Sequence, residues 1–223
     1  MNSIGELNEK AIHHHAKMVV SNGNVDLQEI RVGNYIADVK IGNDIKEIQT
    51  TNFKNLVRKI KFYISQGYNV EVIYPLINKS QIIYMNRVTG YEDYRGKKHT
   101  YKTKYDALKE MYWLEQFIDN DSFSLRILLY EVQDYRYSDN KQKINKYPAN
   151  IIEEVLIQNS NDLWKFIPNT LNKKFLAKEF KREAKTRSKY YHQYLHLLEN
   201  FGVISTIGKQ GHAVVWQIND IGK

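Results

Sequence analysis

The chain has 223 residues, 42% hydrophobic and 26% charged, which fits a folded globular protein of one to two domains and excludes a mainly disordered one. No apolar run approaches the roughly 20 residues of a bilayer span, no apolar stretch near the N-terminus makes an export signal, and the absence of cysteine excludes disulfides, thiolate metal sites and thiol catalysis. Lysine and arginine number 33 against 25 acidic residues, a net charge of +8, and this excess suits a polyanionic partner such as nucleic acid in the cytoplasm, with no membrane.

Leu7, Ala11, Ile12, Ala16 and Val19 recur at helical spacing and predict a helix over 5–20. Three short strands follow, 27–32, 35–41 and 45–49, separated by Gly33-Asn34 and Gly42-Asn43-Asp44, both hairpin turn chemistry. Phe53, Leu56, Val57, Ile60 and Ile64 predict an amphipathic helix over 52–66 that Gly67 stops. The β-branched run 70–76, ending at Pro75, and the run 81–85 are expected as two further strands. Residues 87–102 are polar, basic and rich in tyrosine, as in an extended loop. A helix over 103–117 and a strand within 124–137 complete the first part. Residues 138–149 have few apolar positions and are expected to be a linker. Helical periods then cover 149–158, 161–167, 173–181 and 188–200, and strand-like 203–207 and 214–218 flank Gly208-Lys209-Gln210-Gly211.

The chemistry-bearing pattern is Asp38 on the second strand and Glu47-Ile48-Gln49 on the third. Glu47 and Gln49 are two apart and share a face of their strand, and the tight hairpin can bring Asp38 beside Glu47. Glu9 on the first helix and Glu29 on the first strand can point to the same place. Converging carboxylates on a strand pair suit Mg²⁺, or Mn²⁺ in its place. Such an ion lowers the pKa of a bound water and neutralises charge on a phosphate, both of which phosphodiester hydrolysis needs. Gln49 sits where it can aim that water. Three consecutive histidines, His13, His14 and His15, spread around a helix and cannot ligate one ion together.

The order helix, three-stranded meander carrying Asp38 and then Glu47-x-Gln49, helix, strand resembles the PD-(D/E)XK nuclease superfamily, whose core is αβββαβ. The resemblance matches the superfamily's aspartate to Asp38 and its second acid to Glu47, puts Gln49 at the lysine position, and makes Glu9 the helix acid of the Holliday-junction-resolvase-like branch. The stretch Glu47-Ile48-Gln49-Thr50 is similar to competence-protein-type nucleases with glutamine in place of lysine. A closer likeness, carried by Asn8-Glu9-Lys10-Ala11-Ile12-His13 with Lys17 and by Glu47-Ile48-Gln49-Thr50 with Asn52-Phe53 and Arg58-Lys59-Ile60, is to an uncharacterised bacterial family with an E-I-Q-T-x-N-F motif. It is specific over 8–76 and implies a nuclease-like fold without a substrate. Two departures stand out: no Pro-Asp pair precedes the second strand, and Gln49 lacks the ammonium that would stabilise a developing oxyanion. In this fold the helix after the acidic strand flanks the active face, so Arg58 and Lys59 are expected to meet phosphate.

Eight lysines and arginines against three glutamates lie between Leu171 and Asn200. Helices followed by a two-stranded hairpin is the order of a winged helix-turn-helix. Its base-reading positions would be Lys185, Arg187, Ser188, Lys189, Tyr190 and His192, with Lys209 and His212 at the wing tip.

The sequence therefore predicts an α/β chain: a restriction-endonuclease-like αβββαβ core with a mixed sheet over 1–137, a linker over 138–149, and a winged helix-turn-helix over 150–223. The expected function is a Mg²⁺-dependent DNA nuclease without a small-molecule cofactor, and a homodimer fits a two-strand cut. The alternatives are a catalytically inactive nuclease-fold DNA-binding protein and a winged-helix adaptor that binds protein.

Overall fold

The computed structural model describes residues 4–220, with side chains from residue 11 onward. Helix α1 (Ile4–Val20) leads into a meander of β1 (Gln28–Val32), β2 (Tyr35–Ile41) and β3 (Asp44–Ile48). Each hairpin closes with two residues, and Gly33 and Gly42 take positive φ (60° and 57°) at the first turn position. The aromatic ring of Phe62 packs where a Cβ on Gly33 would stand. Helix α2 (Phe53–Ser65) buries Phe53, Leu56 and Ile60 of the predicted face together with Tyr63, while Val57 and Ile64 are only partly buried. Gly67, with φ 81°, ends it.

The next strands are β4 (Asn69–Met85), β5 (Glu92–Thr100), β6 (Phe123–Tyr137) and β7 (Lys143–Ile157). Together with the meander they form one seven-stranded sheet in the order β1-β2-β3-β4-β6-β7, with β5 added to the free flank of β4. The pairs β3–β4 and β4–β6 are parallel and the others antiparallel, so the α/β class and the mixed sheet are as expected. Ile12 and Ala16 of α1 cover one face, over Val39, Ile48, Ile73, Leu128, Tyr130 and Val132. Helix α2 covers the other, over Ile45, Val70, Val72, Leu125 and Ile127. Among the described residues no helix is long and apolar enough to cross a membrane.

Several local expectations are corrected. The expected strands 70–76 and 81–85 are one strand, which runs through Pro75. Pairing to β3 stops at Ile73, so only the β6 flank demands ladder hydrogen bonds at the proline. The expected loop 87–102 is largely β5, whose alternation is hidden because an edge strand carries charge on both faces. The expected linker 138–149 and helix 149–158 are a hairpin turn and β7. Ile151, Ile152, Val155 and Leu156 satisfy helical spacing, but they are mostly β-branched, and 15 residues of β6 offer them a partner. Residues 103–117 are broken into 3₁₀ turns (104–107 and 112–117) around a single α turn, α3 (Leu108–Met111), and 161–167 is also 3₁₀.

The C-terminal part holds β8 (Lys174–Leu176), α4 (Ala177–Glu183), α5 (Tyr191–Asn200), β9 (Ile204–Gln210) and β10 (Ala213–Ile218), with a small antiparallel sheet in the order β8-β10-β9. Phe175, Phe180, Tyr194, Leu195, Leu198 and Trp216 belong to the same apolar cluster as Phe53 and Val70. Thr186 donates to Asp106, and Asn200 donates to Glu115 at 2.8 Å, so polar bonds also tie this part to the 104–117 segment.

Candidate active site

The ladder between β2 and β3 runs from Ile41–Asp44 to Val39–Lys46 and then stops. Asp38 is the next residue of β2 and Glu47 the next of β3, so both acids stand where the two strands part. The Ile48 amide donates to Asp38 Oδ2 at 2.8 Å, which makes this carboxylate the substitute for the missing ladder acceptor. On the other flank, β1 pairs at Gln28–Val39 and Ile30–Ala37 but not between. The residue between is Glu29, whose φ of 54° is left-handed and costs a non-glycine residue of order 1 kcal/mol. Backbone regularity is therefore given up on both sides of Asp38.

Asp38 is approached from α1. His13 Nε2 lies 3.6 Å from Oδ2, and the nearly buried Lys17 Nζ lies 3.2 Å from Oδ1 and also pairs with Glu29. Burial raises the Asp38 carboxyl, but His13, the Ile48 amide and Lys17 outweigh it and hold it below the usual carboxylate range. Burial also opposes charge on Lys17, and Glu29 with Asp38 reverses that, so its ammonium is held above the ordinary lysine value.

Glu47 is approached from α2. Its side chain is 3% exposed, and Lys59 Nζ donates to Oε2 at 2.6 Å. The buried Oε1 has the Tyr63 hydroxyl as its neighbour, which helps hold the carboxyl down although the pair falls short of normal hydrogen-bond geometry. Burial, with the Asp38 charge adding to it, pushes the Glu47 carboxyl up to about 7 against the pull of Lys59. Two neighbouring carboxylates are thus driven in opposite directions, one ionised and one poised near neutrality.

Asp38 is thus held by α1 on one face of the sheet and Glu47 by α2 on the other, at the point where β2 and β3 part. Mg²⁺ takes one or two carboxylates together with waters and substrate oxygens, and Asp38 and Glu47 are the carboxylates that could supply them here. Among the described residues no three His, Asp or Glu side chains converge as a metal group, so the fit is to two carboxylates. Glu9 lies outside the described side chains. Glu29 is bound to Lys17 on the outer side of Asp38, with its side chain 63% exposed.

Gln49 follows directly, and its amide nitrogen donates to the Thr51 carbonyl, which fixes the side chain's orientation. Lys59, expected to contact phosphate, instead reaches inward to Glu47, while Arg58 is exposed beside Trp113. The histidines diverge as expected: His13 faces Asp38, His14 is exposed, and His15 bonds the Tyr130 hydroxyl at 3.2 Å. Lys17 was not among the expected site residues. Its signal was the four-residue spacing from His13, which stacks both side chains on one helix face.

In the C-terminal part Lys185, Arg187, Lys189, His192, Lys209 and His212 are exposed. Ser188 and Tyr190 are half-buried, and together with Arg187 they line a cavity of about 310 Å³ whose other wall includes Thr51, Tyr74 and Glu110. The segment just before α5 therefore shares a cavity with Thr51, which follows β3, while Lys189 and His192 beside it stay exposed.

The chain belongs to the family described as Domain of unknown function (DUF8091), whose profile matches residues 10–164. No curated protein and no solved structure matches it.

Proposed function

We propose that this DUF8091 chain is a metal-dependent nuclease with a restriction-endonuclease-like core and a C-terminal winged helix-turn-helix that holds DNA. The observation that carries this reading is the Asp38–Glu47 pair at the parting of β2 and β3, with its opposed proton affinities. The element order α1, β1–β3, α2, β4, with one helix on each face, supports the core assignment. Two helices followed by the β9–β10 hairpin support the winged helix.

Asp38 and Glu47 would hold Mg²⁺ or Mn²⁺. When bound, the ion supplies an acidified water and charge neutralisation at the phosphate. Lys59 brings to Glu47 the ammonium that Gln49 lacks, and it can stabilise negative charge growing on a phosphoryl oxygen. Gln49, anchored through its nitrogen to Thr51, presents its amide to orient the water. Lys17 and His13 keep Asp38 ionised. The exposed Arg187, Lys189 and Lys209 are suited to duplex phosphates, and a homodimer would supply two sites for two strands.

One feature favours a second reading, a DNA-binding protein without cleavage: Lys17 and Lys59 already neutralise the two acids from within the protein. The experiment is cleavage of plasmid, single-stranded and branched DNA with and without Mg²⁺ or Mn²⁺, beside an Asp38→Ala/Glu47→Ala variant. Divalent-dependent products from the wild type alone are expected. Identical traces from both proteins, with DNA still bound, would establish the second reading.

A further inference from the structure

Pairing of β3 to β4 ends at Ile73, and from Lys79 its place beside β4 is taken by β5. From there β5, β4, β6 and β7 form a four-stranded arm that starts at the end of the motif strand. The β4 residues from Ile73 to Met85 span about 40 Å at strand rise. The segments 86–102 and 136–147 at its far end and edges carry nine lysines and arginines against three acidic residues, most of the chain's net charge of +8.

Register places these groups on one face. Tyr94 stands opposite Tyr84, Tyr84 opposite Arg136, and Arg136 opposite Lys143, one row across all four strands. Tyr84 and Tyr94 are stacked with ring centroids 4.3 Å apart, and Tyr94 is 48% exposed. Lys146 continues the face from the next row, beside the Tyr101 ring, which is 50% exposed. The one acid among these groups, Asp134, is 2% exposed and already held by Arg136 at 2.8 Å, with Lys146 at 3.8 Å. Lys97, Lys102, Lys141 and Lys143 form no ion pair among the described residues. Burial and the crowding of Lys146 and Arg136 hold the Lys143 ammonium below the ordinary lysine value despite Asp134.

A row of flat aromatic rings continued by a row of cations, with Asp134 buried and the exposed Glu92 and Asp139 paired with Arg95 and Arg87, matches one ligand chemistry: exposed bases at one end and phosphates alongside. A duplex hides its base faces in the stack and would leave the tyrosines unused. An acidic polypeptide would use the cations and leave the rings bare. We infer that the β5-β4-β6-β7 arm binds single-stranded nucleic acid along its Tyr94–Tyr84–Arg136–Lys143 face and leads it toward the end of β3. This concerns binding alone and stands whether or not the acid pair cuts.

The test is fluorescence anisotropy in EDTA, so that cleavage plays no part, with a labelled oligothymidine 12-mer, a hairpin duplex of similar length and polyglutamate as competitor. The single strand is expected to bind through the arm, with polyglutamate a poor competitor, while duplex binding through the C-terminal part is left unchanged by the arm substitutions. Tyr84→Ala/Tyr94→Ala should weaken single-strand binding by about tenfold or more, and Tyr84→Phe/Tyr94→Phe should keep it, since stacking does not need the hydroxyl. Lys143→Ala/Lys146→Ala should reduce the slope of log affinity against log salt by about 1 to 1.5. Tyr94→Ala alone, at an exposed edge position, gives the same direction of change if the double variant fails to fold. Wild-type affinity for the single strand in Tyr94→Ala and the lysine variant, or an equal loss of duplex binding in both, would overturn the inference.

Discussion

Replacing Glu47 by glutamine is expected to make the protein more stable at pH 8 while abolishing divalent-dependent activity. The Glu47 carboxyl is pushed up to about 7 in the folded protein, whereas in the unfolded chain it returns to the ordinary glutamate range. Above pH 7 it is ionised in both states, and the folded state alone bears the cost of a buried charge. That cost is fully present above the folded value, shrinks as pH falls from 7 toward 4.5, and is absent below. Glutamine imitates the neutral form and removes it. The shift corresponds to roughly 3 kcal/mol, or about 6–12 °C in melting temperature for a chain of this size. Denaturation at pH 8 and pH 5 checks this, with most of the gain gone at the lower pH. Activity should fall by at least about 10²-fold, because the lost oxygen is one the ion needs. A glutamine variant no more stable than wild type at pH 8 would mean that the Lys59 pair fully offsets the burial of the Glu47 charge.

Lys59→Met is expected to be the most damaging change outside the two acids. Without the ammonium 2.6 Å from Oε2, Glu47 keeps its burial and its repulsion from Asp38 and loses the one cation that opposes them. Its carboxyl then titrates still higher, so the rate of cleavage at pH 7 falls and the rising limb of the pH–rate profile moves to more alkaline pH. A loss of about 10²–10³-fold is expected if the ammonium also stabilises the developing phosphoryl charge. Lys59→Arg should restore part of the rate and most of the profile. A merely structural lysine would lower stability and leave the profile where it was.

The meander, α2 and their turns were legible because glycine at the turns and periods of 2 and 3.6 agree locally there. The same pattern gives the strand positions of the two acids: a two-residue hairpin puts Asp38 and Glu47 one step beyond the Val39–Lys46 pair. The positive φ at Glu29 was not legible, since nothing in Gln28-Glu29-Ile30 demands it and the surroundings impose it. Lys59 was assigned outward because adjacent helix residues such as Arg58 and Lys59 differ in direction by about 100°, and only packing decides which turns in. The arm was missed because β5 and β7 owe their strands to long-range pairing with β4 and β6, which local pattern does not report. The cluster of tyrosine and lysine was visible in the sequence, but its alignment into one row was not.

Isothermal titration of Mn²⁺ into the full chain at pH 6, where Glu47 is mostly protonated, and without nucleic acid tests the shared-ion claim most directly. The wild type should take up Mn²⁺ at a site that Asp38→Ala/Glu47→Ala lacks, and should release a proton from Glu47 as it binds, seen as a dependence of the heat on the buffer's ionisation enthalpy. Identical titrations from the two proteins, or binding with no proton released, would contradict it.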